Sequence, residues 1–502
     1  MSPDAKNPEI GSKEKSSNRF GADLSQIAAG TLVSQIILVV LTPIITRIYN
    51  PTIYGIASTF IAITNILLVI CCLRYEQAIM IPQDNKDAGA LLTGSILILS
   101  IFSILLIPVI VLFGETITCI LNIGDINPYL YLLPLVIITG GIFLALKFWN
   151  LRKKRFGTQA VTQITQYVIY PGSQIGLGIS GFATVGSLVI SDVFAKISCI
   201  CVYGLQLFKD DLGMLKASVS FTSIKTQLKK YKKFPLLNTW SELLSCLSWQ
   251  LPVLLLSAFF SSEIAGQYSL AYRTLLLPLS LIGGSVGQVL FQRASVAIYD
   301  NALPSLVEDV VSLIIIISLL PLLFIGILGA DVFSIIFSSQ WELSGTFVQI
   351  LCVWMVVWFI ASPLMNLINV LGIQGFGLKY NLMSVVVRCL ALVLGGLSGS
   401  VYLALILFAA VSFFLDTYVG CMILSKCKCS LRHVFQKIGK PCFVTLVVAG
   451  FVLIVHFVLD AAIDGFVAPI FSMGIAAACE GLYVVYLFRK NEIVKEYLRL
   501  WG

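Results

Sequence analysis

The sequence predicts an all-α polytopic membrane protein with about fourteen transmembrane helices. Of its 502 residues, 58% are hydrophobic and only 12% are charged, and the mean hydropathy is +0.95. Soluble globular domains carry about 25% charged residues. The apolar residues also fall into runs of about 20, the length that crosses a bilayer as a helix. Most of the chain is therefore expected to lie inside a membrane.

The first segment, residues 1–23, is polar and is expected to be a disordered cytoplasmic tail. It contains no short apolar core followed by small residues, which a cleaved secretory signal requires. The first apolar run is therefore expected to be a retained helix.

Fourteen apolar runs follow the tail. Six lie in a predicted N-terminal lobe (24–208), six in a C-terminal lobe (235–425), and two in 442–488. The runs are, in chain order, Leu24–Ile48, Tyr54–Leu73, Ala88–Phe113, Tyr129–Phe148, Ala160–Ile179, Ala183–Phe208, Pro235–Ala258, Ile264–Leu290, Val310–Ile336, Phe347–Leu371, Tyr380–Leu397, Val401–Leu424, Cys442–Leu459 and Val467–Phe488. Each is long enough, or nearly so, to span the hydrocarbon layer.

The distribution of Lys and Arg among the connections predicts the orientation of the helices. Positive residues collect in one alternate set: the tail, the fourth connection, the linker 209–234, the loop 426–441 and the C-terminus 489–502. Connections of the other set, such as GETITCILNIGDINP, contain none. Because cytoplasmic loops hold the excess of positive charge, both termini are predicted to be cytoplasmic. The same placement accounts for the net charge of +8 without a nucleic-acid partner.

The linker 209–234 is the longest polar insertion between two sets of apolar runs. Six lysines follow Asp211 there with no further acid, and Phe221, Ile224, Leu228 and Tyr231 recur at helical spacing. Two interpretations stay open. The segment is a basic amphipathic helix on anionic membrane lipids, or it is a solvated linker whose charges only set orientation.

Two short motifs recur across the linker. Tyr54–Ala57 is echoed by Ala265–Tyr268, and Asn150–Gly157 by Asn369–Gly377, at similar offsets. This recurrence indicates duplication of a six-helix unit. An even number of helices returns the chain to the same side of the membrane. The two halves are therefore expected to be parallel repeats with a cavity between them.

Four stretches also occur in a characteristic order: Thr46–Gly55, Cys72–Ile79, Gly266–Gly283 and Gly287–Gln292. Together they resemble bacterial O-antigen and exopolysaccharide flippases, the Wzx-type branch of the MOP transporter superfamily. The resemblance runs from about Asp23 to Tyr380, and beyond it only the hydropathy agrees. The matching motif residues are Tyr54, Gly55, Arg74, Glu76, Gly266, Tyr268 and Pro278.

This resemblance implies a MATE-like fold of two pseudo-symmetric six-helix lobes plus two C-terminal helices. It implies a flippase that moves an undecaprenyl-pyrophosphate-linked oligosaccharide, an O-antigen or exopolysaccharide repeat unit, to the outer leaflet of a bacterial inner membrane. Alternating access coupled to H⁺ or Na⁺ would then drive transport. A polysaccharide polymerase and chain-length machinery are the implied partners, and no cofactor or metal is expected.

Four cations lie within apolar runs and are candidates for binding the substrate: Arg47, Lys196, Arg273 and Arg388. A charge near the bilayer centre costs about 2.5–3.5 kcal/mol on insertion scales, so such residues usually face a cavity or a partner. Arg273 is predicted to lie ~13 Å below the outer end of its helix. Its planar guanidinium suits pyrophosphate because it donates paired hydrogen bonds and stays charged.

Four acids are candidates for ion coupling: Asp416, Glu242, Glu480 and Asp192. For Asp416 two interpretations stay open. It binds the coupling ion when Arg388 binds phosphate, or the two residues only neutralise each other, as buried charges often do. No partner is predicted for Glu242 or Glu480.

Local pairing offers a structural alternative for several of these charges. Asp192 and Lys196 are four residues apart, so they are expected to neutralise one another on one helix. Arg74 and Glu76 are expected to form an ion pair near the cytoplasm. Arg47 ends its run and is able to reach the headgroups.

Other functions fit the sequence less well. A membrane polymerase or glycosyltransferase needs catalytic acids, bases or metal ligands outside the bilayer, but the outer loops are short and the chain has two His residues. Cys427, Cys429 and His433 lack a second ligand pair with metal spacing. A MATE-like multidrug or cation antiporter is the main alternative, and a scaffold without transport would leave the intramembrane Arg residues unexplained. The chain is therefore not expected to be an enzyme.

Overall fold

A computed structural model describes residues 30–213, 215, 220–297, 303–462 and 467–490. Within this part of the chain the structure is helical and contains no strand. The α-helices of eight or more residues are α1 Gly30–Ile48, α2 Pro51–Cys71, α3 Asn85–Ile120, α4 Leu133–Arg152, α5 Phe156–Ile179, α6 Val185–Asp210, α7 Phe221–Lys230, α8 Thr239–Phe259, α9 Ser262–Ala297, α10 Leu303–Phe337, α11 Glu342–Leu364, α12 Gln374–Leu397, α13 Val401–Lys426, α14 Leu431–Ala462 and α15 Val467–Lys490. The predicted disordered tail, residues 1–23, lies outside the described residues.

Each of the fourteen predicted runs coincides with one long helix, and α7 lies in the linker. Within the described residues, eleven segments are long and apolar enough to cross a membrane. The helices α5, α9 and α15 are not among them. Polar Thr and Gln residues lower the hydropathy of α5. The polytopic helical fold is thus confirmed, whereas the number of fourteen spans stays a prediction.

Several helices begin where the sequence supplies a capping side chain. Asp84 accepts a hydrogen bond from the backbone N–H of Lys86, 3.0 Å away, at the start of α3. Thr184 and Ser400 do the same at the starts of α6 and α13. These oxygens satisfy N–H groups that have no partner within the helix. At 36 residues, α3 is about 54 Å long, so it extends well beyond a hydrocarbon layer of about 30 Å.

The described chain divides into two units. Unit 1 contains the chain up to Tyr49 and Phe60–Cys246, and unit 2 contains Asn50–Thr59 and the chain from Leu247 onward. The division therefore falls inside α2 and inside α8. The predicted boundaries of the two lobes and the two C-terminal helices stay predictions.

In unit 1 part of the apolar side of α7 packs on protein. Ile224 is buried, and it lies with Leu228 against Gly94 of α3. The hydroxyl of Tyr75 donates to the carbonyl oxygen of Leu228 over 2.9 Å. Phe221, at the start of the same stripe, is 80% exposed, and contact of α7 with membrane lipid stays a prediction. The lysines of α7 are exposed on its other side.

Asp211 fixes the start of the linker to the fourth connection. Its carboxylate accepts hydrogen bonds from Trp149 and lies 3.1 Å from Lys153 and 2.9 Å from Arg155. Burial by itself raises the pKa of the Asp211 carboxyl, but the hydrogen bonds from Trp149 and Lys153 and the charge of Arg155 outweigh it. The resulting pKa lies below the ordinary value. The ends of α4 and α6 are thereby joined on the predicted cytoplasmic side.

In unit 2 the two C-terminal helices dock on α10. Glu308 accepts a hydrogen bond from the backbone N–H of Ser430 over 2.7 Å, and Lys437 lies 2.6 Å from Asp309. Further along, the hydroxyl of Tyr483 donates to the carbonyl oxygen of Ile316 over 3.2 Å. Polar contacts at several levels of α10 thus hold α14 and α15 in place.

Candidate functional site

The two echoing motifs meet at a close helix crossing in unit 2. A Cβ atom on Gly55 would overlap the carbonyl oxygen of Ser262, and one on Gly266 would overlap that of Pro51. The starts of α2 and α9 therefore touch backbone to backbone. Only glycine leaves room for such an approach. Both motifs contain a glycine for a physical reason, because Gly55 and Gly266 lie against each other where the two helices cross.

We expect Gly266→Ala to reduce the amount of folded protein in the membrane severely, because the new methyl group collides with backbone that cannot move aside. The matched control is Gly450→Ala, where a Cβ meets no atom within 4 Å. Membrane levels and monodispersity after detergent extraction measure the effect. Equal levels of the two variants would contradict the crossing.

Below this crossing, α9 carries Arg273. Its Nη1 donates a hydrogen bond to the hydroxyl of Tyr54 over 3.2 Å. The Tyr54 ring in turn packs edge-on against Trp341, with centroids 5.5 Å apart and an interplanar angle of 86°. Arg273 is partly exposed, whereas Tyr54 and Trp341 are buried. A motif tyrosine thus orients the guanidinium of a residue that is partly exposed.

Gln267 holds α9 to the start of α11. Its side-chain amide donates to the carbonyl oxygen of Gln340 over 2.7 Å and accepts from the N–H of Ser344 over 3.0 Å. The Ser344 hydroxyl donates to the Gln267 backbone carbonyl over 2.9 Å. The helix that carries Arg273 is therefore fixed near its predicted outer end.

Arg388 and Asp416 form a buried ion pair between α12 and α13. The guanidinium Nη2 lies 3.3 Å from Asp416 Oδ2, and the side chains are 2% and 0% exposed. The Nε and Nη1 groups donate to Ser412 and Ser248, each over 3.0 Å. Of the two interpretations of Arg388, this geometry favours mutual neutralisation. Its role in substrate binding stays a prediction.

Aromatic side chains complete the surroundings of this pair. Trp354 Nε1 donates to Asp416 over 2.6 Å, and the Tyr380 hydroxyl also donates to Asp416. The guanidinium carbon of Arg388 lies 5.0 Å from the Trp249 ring centroid and 5.5 Å from that of Trp354. Cation–π attraction and hydrogen bonds together offset the cost of burying both charges.

Lys196 and Asp192 form the predicted local pair on α6. Their charged atoms are 2.7 Å apart, at i,i+4 spacing, and the side chains are 11% and 23% exposed. Arg47 is exposed at the end of α1. Binding of substrate by either cation stays a prediction.

Arg74 is shared between two acids in unit 1. It lies 2.7 Å from Glu242 and 3.5 Å from Glu76, and its backbone is left-handed, with φ 60°. The structure therefore supplies Glu242 with a partner that the sequence did not indicate. Glu76 is 1% exposed, and burial raises the pKa of its carboxyl. The side chains of Glu480 and Pro278 lie outside the described residues.

Several residues around these charges were not identified as site residues from the sequence. Ser248, Trp249, Trp354 and Tyr380 surround the Arg388–Asp416 pair, yet they come from three separate helices. The one local signal is the density of Trp in the stretch VWMVVWF of α11 and at Trp249. Apolar surroundings alone do not distinguish such residues from lipid-facing aromatics.

Residues 44–346 match the model of a family described as polysaccharide biosynthesis protein, more than half of the chain. The chain belongs to this family. The match includes Tyr54, Gly55, Gly266 and Arg273, but ends before Arg388 and Asp416. A comparison with curated protein sequences gives no match.

Solved structures share the fold of this polysaccharide biosynthesis family member. The lipid II flippase MurJ in an inward closed conformation has a TM-score of 0.69 at 12% identity, covering 92% of this chain and 98% of its own. An inward-facing multidrug resistance MATE transporter of the MOP superfamily has a TM-score of 0.60 at 14% identity, covering 81% and 95%. A MOP superfamily transporter from Pyrococcus furiosus has a TM-score of 0.54 at 13% identity, covering 82% and 97%. The fold is therefore that of MOP superfamily transporters and flippases.

Proposed function

We propose that this protein is not an enzyme but a flippase for undecaprenyl-pyrophosphate-linked oligosaccharide. It moves an O-antigen or exopolysaccharide repeat unit from the cytoplasmic to the outer leaflet of a bacterial inner membrane. Alternating access of the two lobes carries the sugar across, and both termini lie in the cytoplasm. A polysaccharide polymerase with its chain-length machinery receives the product. Family membership and the fold shared with a lipid II flippase support this proposal.

The observation that carries the proposal is Arg273, a partly exposed cation inside a long helix of the family region. A neutral tyrosine orients it, since its Nη1 donates to the Tyr54 hydroxyl. A guanidinium held in this way binds pyrophosphate through short, charge-assisted hydrogen bonds. The pyrophosphate is the anionic group that all carrier-linked oligosaccharides have in common, whatever their sugars. Recognition through Arg273 therefore allows one protein to accept the carrier whatever sugars it bears.

Ion coupling is part of the proposal, and Glu242 is the best placed of the described acids. Its side chain is 50% exposed, whereas that of Asp416 is fully buried. Binding of the coupling ion at Glu242 releases Arg74, which then pairs only with the buried Glu76. This change in ion pairing makes the ion-bound and ion-free forms of the protein favour different conformations. An ion gradient is then able to shift the equilibrium between the two conformations.

Deleting the gene is expected to leave undecaprenyl-linked oligosaccharide on the cytoplasmic leaflet. Without a protein path, the charged and hydroxyl-rich head group cannot enter the hydrocarbon layer. Accessibility of the labelled intermediate to an outer-leaflet glycosidase in spheroplasts measures the effect. The matched control is the deletion strain complemented with the wild-type chain. Normal outer-leaflet delivery in the deletion strain, with no second flippase present, contradicts the proposal.

The second candidate is a multidrug or cation antiporter, favoured by the fold shared with a MATE transporter. Such a protein needs an accessible acidic or apolar site for a cation. The described part of the site instead contains the cationic side chain of Arg273, a partly exposed residue. Resistance to cationic dyes in the same complementation strains separates the two candidates.

A further inference from the structure

The aromatic cluster beside Arg388 extends beyond the residues that surround its charge. The Trp249 ring of α8 lies 4.6 Å from Trp358 of α11, with an interplanar angle of 55°. It also lies 6.3 Å from Tyr272 of α9, at 29°. Three different helices thus place three large rings side by side, all of them in unit 2.

Burial divides this cluster into two parts. Trp354 and Tyr268 are fully buried, whereas Trp249, Tyr272 and Trp358 are partly exposed. Buried residues hold two of the partly exposed rings in place. Arg388 lies 5.0 Å from the Trp249 ring centroid, and the Tyr268 ring stacks on that of Tyr272 with centroids 5.7 Å apart. The three partly exposed rings therefore form a surface with a rigid base, called here the aromatic platform.

One polar atom of the aromatic platform lacks a partner. Trp358 Nε1 is buried and donates to no acceptor in the described part of the chain. A buried donor without an acceptor costs about 1–3 kcal/mol, and lipid tails offer no acceptor. The platform therefore suits a ligand that combines apolar faces with hydroxyl oxygens.

A sugar ring has this combination, since its C–H groups pack flat against an aromatic ring and its hydroxyls accept hydrogen bonds. The Tyr272 hydroxyl adds a second polar group. A cationic ligand is disfavoured, because the guanidinium of Arg388 already occupies the Trp249 ring and would repel it. Arg273 follows Tyr272 in α9, with consecutive Cα atoms about 3.8 Å apart, but consecutive side chains of a helix do not face each other. The aromatic platform and Arg273 therefore lie at the same level of α9 but on different sides of it.

We propose that the aromatic platform of Trp249, Tyr272 and Trp358 binds a sugar ring of the oligosaccharide while Arg273 binds the pyrophosphate. The inference rests on the proposed function and assigns it a carbohydrate subsite. The carrier is then recognised at two points at the same level of α9. The rings stack on any sugar with a flat C–H face, and the Nε1 of Trp358 donates a hydrogen bond to a sugar hydroxyl.

The test compares two probes, undecaprenyl pyrophosphate bearing the host oligosaccharide and the same carrier without sugar, bound to purified full-length protein. Trp358→Phe keeps a ring but removes the donor, and Trp249→Leu removes a stacking face. Each is expected to weaken binding of the sugar-bearing carrier about three- to tenfold, the value of one neutral hydrogen bond or one ring contact. Binding of the sugar-free carrier is expected to stay unchanged. Trp240→Phe, at an exposed Trp outside the cluster, is the matched control.

The outcomes separate the subsite from the proposed function. If the wild-type protein binds neither carrier, the proposed function is wrong and the subsite falls with it. If it binds both carriers and the platform variants change neither affinity, or change both equally, only the subsite is wrong. Size-exclusion profiles check folding. Should Trp358→Phe fail to fold, Tyr272→Phe removes a single hydroxyl and supplies the same comparison.

Discussion

Asp416→Ala is expected to prevent most of the protein from accumulating in folded form. The substitution leaves Arg388, 2% exposed, without its counter-ion and removes the acceptor of Trp354 and Tyr380. Removing one partner of a buried pair costs about 3–5 kcal/mol, a large part of a typical stability of about 5–15 kcal/mol. Membrane levels and size-exclusion profiles after detergent extraction measure the loss.

The double variant Arg388→Met with Asp416→Leu serves as the comparison. It replaces both charges by apolar groups of similar volume, which is often neutral for stability. We expect it to restore only part of the folded protein, because Trp354 and Tyr380 still lack their acceptor. Asp192→Ala is the matched control, since the Asp192–Lys196 pair is more exposed than the Arg388–Asp416 pair. Normal accumulation of Asp416→Ala would show that Arg388 does not depend on this pair and would return it to the candidates for substrate binding.

Replacing Arg273 is expected to reduce transport in the order Arg, Lys, Ala while the protein still folds. Lys keeps the charge but loses the planar pair of donors, and Ala loses both. Hydrogen bonds to a charged group contribute about 1.5–3 kcal/mol each, so Ala is expected to lower the rate at least about tenfold. Outer-leaflet delivery of labelled oligosaccharide at matched expression measures the effect.

Two further variants make this series specific. Tyr54→Phe removes only the hydroxyl that orients the guanidinium, so an intermediate reduction is expected. Arg432→Ala removes an exposed cation at the start of α14 that is not a candidate for binding the substrate, and no change is expected. Full transport by a well-expressed Arg273→Ala protein would remove Arg273 from the mechanism. Equal losses for Arg432→Ala and Arg273→Ala would indicate a general effect of net charge.

Helix positions were largely predictable because their causes are local. A run of about 20 apolar residues forms a helix in a bilayer, where each backbone group needs a partner within its own segment. The starts of α3, α6 and α13 follow from Asp84, Thr184 and Ser400, which cap the helix within three residues. The Asp192–Lys196 pair was also predictable, since it lies within one helix.

Two further contacts of the charges were not predictable in this way. Glu242 and Arg74 are far apart in the chain, as are the Ser248 and Arg388 side chains. The apolar stripe of α7 shows the same limit, because periodicity indicates that one face is buried but not what buries it. Here Ile224 and Leu228 pack on Gly94 of α3, whereas Phe221 is exposed.

The sequence by itself determined that this protein is a polytopic helical membrane protein, where its long helices lie, and which charges are predicted to enter the membrane. These features depend on composition and on neighbours within a few residues. Only the tertiary structure decided that Gly55 meets Gly266, that Tyr54 orients Arg273 and that Arg388 is neutralised by Asp416. The reason is physical: close packing, ion pairing and ring stacking act over a few ångströms in space. Chain positions more than 200 residues apart become neighbours only when the helices pack.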